Sequence, residues 1–131
     1  MKINEAIENY LETILILSET KEKVRMSDVA KHLNVSKPSV NSAMNKLQDN
    51  GYIIQEFYGT IQLTPKGLAY ATKVYSRHKL FREFLIKVLK INPIVAEEDA
   101  CHMEHCVSDE TMASFEVFIK EQLELVKQHE S

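Results

Sequence analysis

"MSDVAKHLNVSKPSVNSAMNKLQDNGYI", residues 26–53, contains two short helical patterns separated by the turn "LNVS". Ser27 is predicted to cap a helix bearing Val29, Ala30 and Leu33. Ser36 is predicted to cap a second, bearing Val40, Ala43, Met44 and Leu47, which stops at "DNG". A small Ala30, a tight turn with a buried Val35 and a polar second helix are what a helix-turn-helix requires, because its two helices cross closely and steeply. In that motif the second helix enters the major groove. Its start and outer side, Ser36, Lys37, Pro38, Ser39, Asn41, Ser42, Asn45 and Lys46, are then the candidate DNA-binding residues. Free N–H groups at the helix start favour a phosphate, and the two lysines add backbone contacts. A helical hairpin used for protein contact is the competing reading.

Two short β-rich segments follow Gly51, "YIIQEF" and "IQLT", around a Tyr58-Gly59 turn, as expected for the wing of a winged helix-turn-helix. Upstream, Ile7, Tyr10, Leu11, Ile14, Leu15 and Leu17 recur at helical spacing behind a candidate cap at Asn4. The same helix lines up Glu5, Glu8, Asn9 and Glu12, a stripe of oxygen donors that on its own reads as a solvated face. Downstream, Thr64 caps a helix opened by Pro65 whose apolar positions Leu68, Ala71, Val74, Tyr75, Leu80, Phe84, Leu85 and Val88 carry it to about Leu89. Asn92 and Pro93 open another, predicted to reach Val107. Ser108 caps a last helix with Phe115, Phe118, Ile119, Leu123 and Val126 on one side. The expected fold is mainly α, a winged helix-turn-helix over residues 1–70 followed by a helical domain over residues 71–131.

Charge is also uneven along the chain. Residues 1–90 carry 14 Lys/Arg against 9 Asp/Glu, and residues 91–131 carry 2 against 10. A basic front and an acidic back fit a nucleic-acid-facing half joined to a half with another task. Two cysteines cannot make a disulfide framework, and no leader or membrane-length apolar run is evident, so a soluble chain in a reducing cytoplasm is expected.

The acidic half holds "EEDACHMEHCVSDE", residues 97–110. On a helix Cys101, Glu104 and His105 stand at i, i+3 and i+4, within an arc of about 100° at 3.6 residues per turn. His102 and Cys106 fall on the flank. Thiolate, carboxylate and imidazole on one face suit a divalent cation such as Fe²⁺, Co²⁺, Ni²⁺ or Zn²⁺. Three donors leave the site incomplete, and His78 in "SRHKLF" and the Asn9/Glu12 stripe are the available additions. A second reading keeps the cysteines as small buried hydrophobes and the histidines as satisfied polar groups.

The succession "ENYLETI", "SDVAKHLNVSKPSV", "LTPKG", "SRHKLFREFL" and "ACHMEHCVSDE" resembles the DtxR/MntR family of metal-dependent transcriptional repressors, over nearly the whole chain. The end at Ser131 suggests the short, two-domain form without an SH3-like third domain. The resemblance implies a homodimer that binds a palindromic operator, with metal bridging the first helix to the dimerisation helices of residues 71–131. It places the metal ligands on Asn9, Glu12, His78, Cys101, Glu104 and His105. Cys101 matches the iron-sensing branch, where the manganese branch has glutamate. Asn9 stands where iron sensors have Met and manganese sensors Asp. Arg82 and Glu97 replace the glutamate and histidine of the iron branch's ancillary site, so a second metal is not expected there.

A thiolate favours Fe²⁺, with Mn²⁺ as the alternative because it prefers oxygen donors. Ligating thiol and imidazole must shed protons, so the response should weaken in acid. Two rivals frame this expectation. One is a redox switch through Cys101 and Cys106, which at i, i+5 would distort the helix to pair. The other is a metalloenzyme with Glu104 as base, which would need an open, substrate-binding cleft that so few glycines do not suggest.

Overall fold

The computed structural model describes residues 4–56 and 59–130, and among these the chain is mainly helical. It forms two compact units, Met1–Lys73 and Val74–Ser131, whose boundary falls within one helix. No helix among the described residues is long and apolar enough to cross a membrane.

In the first unit α1 (Glu5–Thr20) is capped by Asn4, whose Oδ1 accepts from the Ile7 N–H at 3.0 Å. The helix buries Ile7, Tyr10, Leu11 and Ile14. It is followed by a two-residue strand, β1 (Val24–Arg25), then α2 (Met26–Leu33) and α3 (Lys37–Asp49). β2 (Ile53–Gln55) and β3 (Thr60–Leu63) complete a three-stranded antiparallel sheet of order β1-β3-β2, with Val24 opposite Ile61 and Gln55 also opposite Ile61. Val29, Ala30, Val40, Ala43, Met44, Leu47, Ile53 and Ile61 pack with α1 into one core. This is the winged helix-turn-helix. Gly59, at φ 75°, is in the left-handed region that favours glycine, while Phe57 and Tyr58 lie outside the described residues.

Several local expectations are corrected here. Ser27 does not cap α2. Pairing with β3 holds the chain extended to Arg25, so Arg25 is the N-cap and its N–H donates to Asp28 Oδ2 at 2.9 Å. Val35 is not buried but 38% exposed, because Asn34 turns left-handed (φ 54°) and the Val35 N–H closes back onto Ala30 O. The donor stripe of α1 is not a solvated face: Glu12 is buried, and Glu8 Oε2 accepts from the Tyr70 hydroxyl at 2.9 Å.

The Arg25 N–H, and then Lys21 at 3.3 Å, hold the Asp28 carboxyl below the usual aspartate range. A group lowered in the folded state stabilises fully above its unfolded value, and that contribution is lost as pH falls through the folded value. Asp28→Asn should therefore lower stability by less than about 1 kcal/mol near neutrality. The difference should vanish in acid, as urea titrations at neutral and acid pH would show.

Helix α4 (Pro65–Glu83) begins under Thr64, whose Oγ1 accepts from the Gly67 N–H at 3.1 Å and donates to Gly51 O at 2.6 Å. Lys66 Nζ donates to Asn50 O at 2.8 Å and lies 4.3 Å above the Tyr52 ring. The first turn of α4 is thus docked on the end of α3 and the start of β2. Leu68, predicted on the apolar side, is 48% exposed.

In the second unit α4 passes into a π-helical turn, Phe84–Val88, closed by Leu89 N–H to Phe84 O at 3.2 Å. Asn92 caps α5 (Pro93–Met103), and Ser108 caps α6 (Asp109–Glu130). Phe81, Leu85, Ala96, Ala100, Met112 and Ile119 form the core. Phe115 and Phe118 remain partly exposed, set edge-on against Phe81 and Phe84. α5 ends at Met103, short of the predicted Val107. Beyond it the hydrogen bonds tighten from four-residue to three-residue steps, His105 N–H to His102 O and Cys106 N–H to Met103 O.

Candidate metal centre and nucleic-acid interface

The second unit brings three of the predicted ligands together. His78 comes from the middle of α4, Cys101 from the last turn of α5 and Glu104 from its C-cap, and their ligand atoms all lie within 4.8 Å of one another. His78 and Glu104 are buried, Cys101 half-buried. His78 Nδ1 is 2.9 Å from Glu104 Oε2, and His105 Nε2 is 3.0 Å from Glu104 Oε1. His105 therefore adjoins the cluster through the carboxylate, its side chain only 1% exposed. As the helix ends after Met103, Glu104 becomes its C-cap, its N–H still bonded to Ala100 O at 3.1 Å, and His105 follows one residue beyond. Asn9 and Glu12 belong to the first unit, one turn apart on α1, Asn9 half-buried and Glu12 buried. His102 and Cys106 are exposed, and Cys106 Sγ donates to His102 O at 3.4 Å.

The donor set fits a divalent transition metal. A carboxylate withdrawn from water needs compensating positive charge, and the groups that converge on Glu104 are two imidazoles and a thiol, all ligands once deprotonated. Three further residues shape the surroundings. Glu97 joins His78 Nε2 (2.7 Å) to Arg82 Nε (2.7 Å). Arg77 binds the Asp109 carboxylate and Val107 O, holding the turn that carries Glu104 and His105. Helical spacing offered a signal for the first pair, since Arg82 follows His78 by four residues and Glu97 precedes Cys101 by four. Arg77 had none, because its partners lie across a loop.

In the first unit all eight predicted DNA-binding residues are exposed along one side and the start of α3, opposite buried Val40, Ala43, Met44 and Leu47. Ser36 caps the helix, its Oγ accepting from the Ser39 N–H at 3.3 Å. β2 is stitched to this helix: the Gln55 N–H donates to Gln48 Oε1 at 3.1 Å, and Gln55 Nε2 to Asn45 Oδ1 at 3.2 Å.

Comparison with known proteins matches these two units one after the other. The iron-dependent repressor N-terminal DNA-binding domain matches residues 2–61, and the iron-dependent repressor metal-binding and dimerisation domain matches residues 64–124. The chain belongs to the DtxR/MntR family of metal-dependent repressors. Members of this family are DNA-binding transcriptional regulators and not enzymes, which removes the metalloenzyme rival. A helix-turn-helix transcriptional regulator of Methanocaldococcus jannaschii is 34% identical over 119 residues, 90% of this chain and 95% of that one. The transcriptional regulator MntR of Salmonella typhimurium is 35% identical over 117 residues, 89% of this chain and 74% of that one. Among solved structures the manganese regulator SloR superposes with a TM-score of 0.76 at 31% identity, covering 92% of this chain and 55% of SloR. The chain thus spans about half the length of the solved DtxR/MntR structures it matches.

Proposed function

We propose that this DtxR/MntR chain is a cytoplasmic, homodimeric, metal-activated repressor, with residues 1–70 reading a palindromic operator and residues 71–131 carrying the metal centre and the dimer contact. The observation that carries the reading is the convergence of His78, Cys101 and Glu104 in a chain that also bears a winged helix-turn-helix. His78, Cys101, Glu104 and His105 would hold the ion, with Asn9 and Glu12 contributing from α1. When bound, the ion supplies concentrated positive charge and directed bonds that a single arrangement of donors satisfies. Ser36, Lys37, Pro38, Ser39, Asn41, Ser42, Asn45 and Lys46 would meet the duplex, phosphates at the helix start and base edges further along. By linkage DNA and metal tighten each other equally, typically by about 1–3 kcal/mol.

The Cys101 thiolate favours Fe²⁺ over Mn²⁺, since Mn²⁺ prefers oxygen donors. Mn²⁺ is the second reading, supported by the likeness to SloR, a manganese regulator. Electrophoretic shift of DNA selected from a random pool, with and without Fe²⁺ under reducing conditions, tests the whole proposal. DNA affinity indifferent to every divalent metal overturns it, and leaves the thiol-switch rival to be tested by oxidation. Cys101→Glu should move the preference toward Mn²⁺ by tenfold or more, which is about 1.4 kcal/mol. An unchanged order of Fe²⁺ and Mn²⁺ affinities would refute the argument from thiolate softness.

A further inference from the structure

We propose that Glu97, itself held by Arg82, is a positioning residue for His78: it fixes the ring proton on Nε2 and so presents the Nδ1 lone pair to Cys101 and Glu104. This rests on the metal-centre reading above and adds to it a residue outside the ligand set.

The geometry is specific. His78 lies between two carboxylates, with Nδ1 2.9 Å from Glu104 Oε2 and Nε2 2.7 Å from Glu97 Oε1. A neutral imidazole has one donor and one acceptor nitrogen, and a carboxylate can only accept. With the proton on Nδ1, the Nε2 lone pair would be pressed against Glu97 at hydrogen-bond distance, a repulsive contact. With it on Nε2, Glu97 accepts the proton and the Nδ1 lone pair meets Glu104 Oε2 at 2.9 Å, a contact that a cation held between those two atoms relieves. That is the tautomer a ring must hold to ligate through Nδ1.

Arg82 keeps Glu97 in place. Its Nε is 2.7 Å from the other carboxylate oxygen, so the guanidinium and the imidazole each take one oxygen of the same group. The ring is buried, whereas the Glu97 and Arg82 side chains are 53% and 45% exposed. The chain of contacts also ties α4 to α5, the two elements that supply His78 and Cys101. Arg82 is thus a fixed cation in its own right, beside the ring nitrogen that does not face the cluster.

The test uses Zn²⁺ on the full chain under reducing conditions, with a chromophoric chelator as competitor. Glu97→Ala should weaken Zn²⁺ binding about 10- to 100-fold. Arg82→Ala should have a smaller effect in the same direction. Glu97→Gln, whose amide oxygen still accepts from Nε2, should bind Zn²⁺ more tightly than Glu97→Ala. Long-range ¹H–¹⁵N correlation on the Zn²⁺-loaded wild-type protein should show the His78 proton on Nε2. Affinity within twofold of wild type in Glu97→Ala, equal affinities in Glu97→Gln and Glu97→Ala, or a proton on Nδ1 would each overturn the proposal. If the wild-type chain binds no Zn²⁺, Mn²⁺ or Fe²⁺, the metal reading and this inference fall together. If it binds and Glu97→Ala is unaffected, only this inference falls.

Discussion

Glu104→Gln is expected to abolish metal-stimulated DNA binding while leaving the chain folded. Glu104 is the group on which the centre converges, since His78 Nδ1 and His105 Nε2 each approach one of its oxygens and its side chain has no exposure. Glutamine preserves the volume and one acceptor oxygen, so no cavity opens in the surrounding core. What it removes is the negative charge that compensates a divalent cation. Removing a ligand should exceed the roughly 10- to 100-fold loss typical of groups that merely support one. Titration of the metal-free variant with Mn²⁺ and Fe²⁺, followed by electrophoretic shift, checks this against the far-UV circular dichroism of the same sample. Metal-stimulated DNA binding of wild-type strength in the variant would remove Glu104 from the ligand set.

Gly67→Ala should destabilise the chain by about 3 kcal/mol, the upper part of the range for an overpacked site. A Cβ at Gly67 would sit 1.9 Å from Tyr52 O and 2.9 Å from Tyr52 C, both backbone atoms. Tyr52 O cannot simply retreat, because it accepts the Thr64 N–H at 3.0 Å. The helix start would have to lift, straining the bonds from Thr64 Oγ1 to Gly51 O and from Lys66 Nζ to Asn50 O that dock it. Urea unfolding of the variant measures the loss; a change under about 1 kcal/mol would mean the two backbones separate freely at this point.

The winged helix-turn-helix was legible because its signals are local. Asn4, Ser36, Thr64 and Ser108 cap as their positions suggest, and the apolar spacing of Val40, Ala43, Met44 and Leu47 marks the buried side of α3. Ser27 misled because the start of α2 is decided by the pairing of Arg25 with Thr60, far along the chain. Phe81, the largest fully buried side chain, went unmarked within a long helix whose apolar residues do not follow one unbroken period. The burial of Glu12 was hidden for the reason that made it look solvated: a carboxylate's surroundings are set by tertiary neighbours, not by its own helix. In the metal centre, residue types identified Cys101, Glu104 and His78 as possible donors, and the helical spacing of Cys101 and Glu104 holds as far as the C-cap; His105 lies one residue past it, where the bonds tighten to three-residue steps.

The stitching of Gln55 to Gln48 and Asn45 bears on the thermodynamics of meeting DNA. Immobilising a flexible side chain at an interface costs on the order of 0.5–1.5 kcal/mol, and ordering a whole segment costs more. Because β2 is already tied to the reading helix in the free protein, that ordering is completed during folding. The heat-capacity change on association then reports surface buried against the duplex and not a disorder-to-order transition of this strand. On the proposed reading, Gln55, Gln48 and Asn45 thus make α3 and β2 a pre-assembled part, shaped before any duplex arrives.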